Sequence, residues 1–216
     1  MARTRAAVLI SGRGSNMVAL VEAAKASGYP AEIAVVISND PQAKGLEYAK
    51  AQGIPTAVVD HKPFGKNREA FERALQAELE KHKIEIVVLA GFMRLLTAWF
   101  VTQWEGRMIN IHPALLPNFK GLDTHARALA AEAKVHGATV HFVVPEMDSG
   151  PIVVQGAVPV IAGDTEATLA ARVLKIEHQI YPMALKLFAE GRIKIADGAC
   201  IIDGVAKPQG LQVSRV

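Results

Sequence analysis

Apolar residues follow two rhythms along the first half of the chain. Short unbroken runs occur at RAAVLIS (5–11), AEIAVVISND (31–40), PTAVVD (55–60), IEIVVLAGF (84–92) and RMINIH (107–112). Between them, SNMVALVEAAKASG (15–28), QAKGLEYAKAQG (42–53) and NREAFERALQAELEKHK (67–83) repeat apolar positions every three or four residues. The unbroken runs read as strands covered on both faces, and the spaced ones as amphipathic helices. Gly28 and Gly53 close the first two helices. A further short helix is expected near 97–104. This βαβα alternation predicts an α/β fold: an open, mostly parallel twisted sheet with helices on both faces, Rossmann-like in its N-terminal half.

The rhythm then changes. GATVHFVVP (137–145) and PIVVQGAVPV (151–160) are β-rich and separated by a few residues, which predicts an antiparallel hairpin in the C-terminal half. DTEATLAARVLKIEHQIYPMALKLFAEG (164–191) reads as a long helix capped by Asp164 or Thr165, with a kink or interruption at Pro182. The tail IKIADGACIIDG suggests a small hairpin turning at Asp197-Gly198. No repeat, linker or low-complexity tract divides the chain, so residues 1–216 are expected to form a single domain. Its halves, 1–105 and 106–216, are expected to share one sheet.

Composition narrows the classes. Half of the 216 residues are hydrophobic but only 6% are aromatic, so the core must come from Ala, Val, Ile and Leu. No apolar run reaches the ~20 residues of a membrane helix. A single cysteine, Cys200, rules out a disulfide within the chain and makes a cytoplasmic location the natural expectation. A formal charge of +3 suits anionic small molecules but is too slight to suggest nucleic acid.

Three stretches carry candidate chemistry. SGRGSN (11–16) joins the first strand to the first helix. It reads either as a tight turn with Ser15 as a plain N-cap or as an anion loop, whose glycines admit a phosphate to the free N–H groups of a helix. Its place at the carboxyl end of a parallel strand favours binding. In NIHPALLP, Asn110 and His112 leave a strand by the same face, an oxyanion donor beside a proton-transfer group, just where Pro113 starts a stiff loop. Asp148, in PEMDSGP, reads by spacing alone as a turn residue, although a carboxylate near His112 would favour its imidazolium. His125, His136 and His141 match no metal spacing, so no metal is expected. His141 either faces the same cleft or is a satisfied core histidine.

With these residues in order, the chain resembles the folate-dependent glycinamide ribonucleotide formyltransferases of purine synthesis. SGRGSN, VVLAGFMRLL, NIHPALLP, GATVHFV, MDSGPI and RVLKIEHQIYP match that family in order and spacing, from about residue 6 to residue 211. The resemblance implies transfer of a formyl group from the co-substrate 10-formyltetrahydrofolate to the ribonucleotide amine, without metal, in a monomer or homodimer binding neither nucleic acid nor membrane. It implies catalytic roles for Asn110, His112 and Asp148, with Thr139 among them. Gly14, Ser15, Asn16 and Glu177 would hold the ribonucleotide. Arg68, Met93, Arg94, Leu95 and Leu96, with Asn110 and the run Val144, Pro145, Glu146, Met147 and Asp148, would hold the folate. Residues 1–105 would then be the ribonucleotide half and 106–216 the catalytic and folate half. Ala114 and Asn118 depart from the Ser and Lys of many members, both in a loop (114–124) expected to be mobile. Deformylases of the wider group carry an extra N-terminal domain and tRNA formyltransferases an extra C-terminal one. Neither is expected here, where the chain begins at its first strand and only residues 192–216 follow the long helix. A non-catalytic nucleotide-binding module would explain SGRGSN but leave Asn110, His112 and Asp148 without a task.

Overall fold

The computed structural model describes residues 2–203 and 211–213 and divides into two compact units, Met1–Asn110 and Ile111–Val216. Residues 204–210, near the end of the stretch that carries the resemblance, lie outside the described residues.

In the first unit the apolar runs become strands β1 (Thr4–Ile10), β2 (Ala31–Ser38), β3 (Thr56–Val58), β4 (Ile86–Leu89) and β5 (Met108–His112), the last leading into the second unit. They lie parallel in the order β3-β2-β1-β4-β5. Ala6, Ala7, Val8, Leu9 and Ile10 are fully buried, as are Val35 to Ile37 and Ile86 to Val88. Strands without a polar face need cover on both sides, and βα alternation supplies it. Helices α1 (Ser15–Ala24), α2 (Lys44–Ala51), α3 (Arg68–Lys81) and α4 (Ala98–Gln103) make the connections. Register sets Leu9, Leu89 and Asn110 in one row, so β1, β4 and β5 finish at a common carboxyl edge.

The second unit holds α5 (Thr124–Ala130), β6 (Val135–Phe142), β7 (Ile152–Pro159), α6 (Glu166–Ala189), β8 (Ile193–Ala196), β9 (Ala199–Ile202) and β10 (Leu211–Val213). The expected hairpin is present as antiparallel β6 and β7, with a register shift between Val140 and His141, and β10 runs parallel to β7. The expected tail hairpin is β8–β9; it turns on Asp197 and Gly198, both at positive φ (51° and 73°). Helix α6 runs without a break across Pro182, so of the expected kink or interruption the interruption is absent. Its buried stripe continues from Ile176 and Ile180 to Ala184 and Leu185, and that packing carries the helix past the missing donor. Thr165, not Asp164, is its cap, in a reciprocal box with Thr168. Asp164 instead pairs with Arg172 at 2.7 Å. Helix α5 was not marked by the pattern, since THARALA is too short to display a period.

Among the described residues no helix is long and apolar enough to cross a membrane. Cys200 is buried, and burial pushes its thiol up to about 11, far from thiolate chemistry at neutral pH.

Candidate active site

The SGRGSN loop closes the carboxyl edge of the first unit around a pocket of about 250 Å³, lined by Ser11 to Asn16 together with Ala90, Gly91 and Met93. The N-cap of α1 is Gly14, not Ser15, at φ +71°, and no side chain caps the helix. Ser15 is therefore the first helical residue, and the first turn carries no acidic side chain. A helix start without a capping side chain or acid leaves its N–H groups and dipole to an anion. A Cβ on Gly14 would fall 3.1 Å from Met17 Cε and 3.4 Å from Gly45 Cα, so packing as well as φ reserves this position for glycine.

Strand β5 presents Asn110, half-buried, and two residues later His112, which is 5% exposed. In the second unit His112 meets the rest of its cluster. Its Nδ1 lies 3.4 Å from Asp148 Oδ2, and its Nε2 is 2.9 Å from the Phe119 carbonyl. A carbonyl only accepts, so Nε2 carries hydrogen, and Nδ1 faces a carboxylate.

Asp148 is a turn residue that also faces His112. Its φ of 51° places it in the left-handed region that Asp tolerates, and Oδ2 also accepts from Gly121 N at 2.9 Å. Gly150 permits this turn, because a Cβ there would lie 1.8 Å from Phe142 O. His141 Nε2 is 3.8 Å from Asp148 Oδ1. Burial first of all holds the His141 imidazolium down, more than Asp148 raises it, so His141 forms a neutral wall rather than a second cation.

The 114–124 loop, expected to be mobile, is tied at several points. The fully buried Thr139 hydroxyl donates to Ala114 O (2.7 Å) and accepts from Leu116 N (3.0 Å). Thr124 donates to Pro113 O at 2.7 Å, and Arg127 reaches the Lys120 and Leu122 carbonyls. The Phe119 ring lies between the Arg127 guanidinium, 5.7 Å away, and the edge-on ring of His136, 5.8 Å away. That packing holds its carbonyl on His112.

The formyl transferase family model matches residues 4–185. The chain is 45% identical to the phosphoribosylglycinamide formyltransferase of Escherichia coli over 93% of this chain and 94% of that one. The solved phosphoribosylglycinamide formyltransferase of Coxiella burnetii superposes with a TM-score of 0.91 at 41% identity, covering 97% and 99% of the two chains. The chain belongs to the formyl transferase family. It is also 48% identical over 92% of its length to the human trifunctional purine biosynthetic protein adenosine-3, but spans only 20% of that longer protein.

Within this formyl transferase the remaining sequence candidates fall in both units. Arg68 is exposed at the start of α3, and Met93 to Leu96 form the turn after β4, with Met93 and Leu95 among the most exposed large apolar side chains. Val144 to Asp148 lie in the connection between β6 and β7, and Glu177 is buried on α6. Other supporting groups escaped sequence reading. Gln155 donates to Thr139 Oγ1 (3.0 Å) and Leu116 O (2.9 Å); its signal was a lone amide inside the apolar run PIVVQGAV. The Phe119 carbonyl and Gly121 N–H are backbone groups and leave no such signal. Among the described residues no group of three or more His, Cys, Asp or Glu side chains is arranged to hold a metal ion.

Proposed function

We propose that this formyl transferase carries the formyl group of 10-formyltetrahydrofolate to the amine of glycinamide ribonucleotide, a step of purine synthesis, working in the cytoplasm as a monomer or homodimer. The observation that carries the reading is His112 held between Asp148 and the Phe119 carbonyl, two residues from Asn110, in a chain alike over nearly its whole length to phosphoribosylglycinamide formyltransferases.

The proposed roles are those that the resemblance implies, and the geometry supports them. Attack of the amine on the formyl carbon gathers negative charge on the formyl oxygen. The Asn110 amide and the His112 Nε2–H, the latter passing over from the Phe119 carbonyl, are the donors for that charge. Asp148 balances the imidazolium and accepts the amine proton, directly or through water. The intermediate then collapses by breaking the bond between the formyl carbon and N10 of the folate, and that nitrogen takes the proton back from the same relay and leaves as tetrahydrofolate. Thr139 is better read as a positioning residue, because its hydroxyl is occupied by the loop. Gly14, Ser15 and Asn16 receive the ribonucleotide phosphate on the start of α1, and Glu177 holds another part of that substrate. Met93 to Leu96, Arg68 and Val144 to Asp148 receive the folate. On this assignment residues 1–105 bind mainly the ribonucleotide, and 106–216 supply catalysis and folate contacts.

Tetrahydrofolate release, followed with the ribonucleotide present and omitted, tests the proposal. Release that requires the ribonucleotide is expected; equal release in its absence would mean that water is the acceptor, as in a deformylase.

A further inference from the structure

The turn from Met93 to Leu96 is held at both ends by side chains of the first unit. At its start, Ser11 Oγ accepts from Met93 N at 2.8 Å, while Ser11 N donates to Gly91 O at 3.2 Å. At its end, the Glu72 carboxylate on α3, 1% exposed, accepts from Thr97 N at 2.6 Å and from the Thr97 hydroxyl. Between these anchors Met93 and Leu95 expose 68% and 64% of their surface. Apolar side chains left in water on a backbone fixed at both ends make a preorganised platform for a flat apolar ligand.

Ser11 has a second connection. It ends the run of β1 and opens SGRGSN, and its hydroxyl donates to Asn39 Oδ1. Asn39 is 5% exposed and is itself joined to the His61 ring at 3.1 Å. The oxygen that holds Met93 is thus fixed by a buried amide and belongs to the anion loop. Gly91 and Met93 in turn line the pocket that the loop encloses. A ligand that draws the loop N–H groups toward itself bears on a wall shared with the platform.

We infer that Ser11 couples the two ligand subsites, so that filling the anion loop tightens binding on the Met93–Leu96 platform and the reverse. The inference rests on the formyltransferase reading, which makes the ligands a ribonucleotide and a folate. Ser11 acts through the Met93 backbone and touches no reacting atom, so it is a positioning residue. Linkage requires each ligand to change the other's affinity by the same factor.

The test is calorimetric titration of the whole chain with glycinamide ribonucleotide, alone and with a saturating folate analogue that lacks a transferable formyl group. The ratio of the two dissociation constants is the coupling factor. A factor of about 5 or more is expected for the unaltered protein. Ser11→Ala should bring it close to one, and Ser11→Thr, which keeps the hydroxyl, should restore it. General structural damage would weaken each ligand alone and leave the ratio intact. An unchanged ratio in Ser11→Ala, or no coupling in the unaltered protein, would overturn the inference while leaving the function standing, provided formyl transfer is observed. Failure of both ligands to bind the unaltered protein would overturn both.

Discussion

At the scale of single residues, Asp148 is the sharpest test of the proposed mechanism, because one carboxylate meets both His112 and the Gly121 N–H. Asp148→Asn keeps the size and removes the charge. Single-turnover formyl transfer should fall by roughly 10²–10⁴, the usual loss for a positioned proton-transfer group. Asn110→Ala should cost about 10²–10³ as a missing oxyanion donor. The double variant should lose less than the product of the two, since the groups act as a unit. A near-normal rate for Asp148→Asn would reduce Asp148 to a turn residue. Gly14 is a poor probe of the anion loop, because any side chain there strains φ and strikes Met17. Ser15→Asp is cleaner. An acid in the first turn favours the helix dipole but repels a phosphate. Ribonucleotide affinity should therefore fall by 10-fold or more while thermal stability holds or rises. A parallel loss of folate affinity, measured without the ribonucleotide, would count against the assignment of the loop.

Among the elements, the loop after β5 is where sequence and structure part most. Pro113 and the strand end at His112 were legible, because proline stops regular structure wherever it stands. The ties that fix the loop were not, because they join groups far apart in sequence, such as Thr139 to Ala114 and Gln155 to Leu116. Thr139→Val should leave Leu116 N and the Gln155 amide without their shared oxygen. About 1–3 kcal/mol of stability should be lost, with turnover reduced and ligand affinities less affected. Thr139→Ser should recover most of both, as denaturant titration and kinetics can check. Beneath the loop His136 is 1% exposed; burial, and then His125, hold its imidazolium down to about 4 from an ordinary 6.5. The unfolded chain binds that proton more readily, so the contribution of His136 to stability is present above about pH 6.5 and is lost as pH falls toward 4. The urea midpoint should drop between pH 7 and pH 4.5, and the drop should shrink in His136→Phe. Identical pH slopes in the two proteins would contradict this.

For the whole molecule, the α/β architecture was readable because β1, β2 and β4 are apolar on both faces and the helices between them keep their period. Short elements escaped, as α5 did. Ser15 was misplaced as a cap because Gly14, in the left-handed region, takes that position instead. In the candidate site Asn110 and His112 stand out as polar groups at the end of an apolar strand, whereas Asp148 reads by spacing as a turn residue and enters the site through the family resemblance. The site's backbone partners were not legible, because every residue carries the same carbonyl and N–H. The central proposal is that the chain transfers a formyl group between two small molecules, with Asn110, His112 and Asp148 as its catalytic groups. The direct measurement is tetrahydrofolate formation by the purified chain from 10-formyltetrahydrofolate, with glycinamide ribonucleotide present or omitted. Product that appears only with the ribonucleotide, matched mole for mole by the formylated ribonucleotide, is the expected result. Product at the same rate without it, or none in either case, would contradict the account.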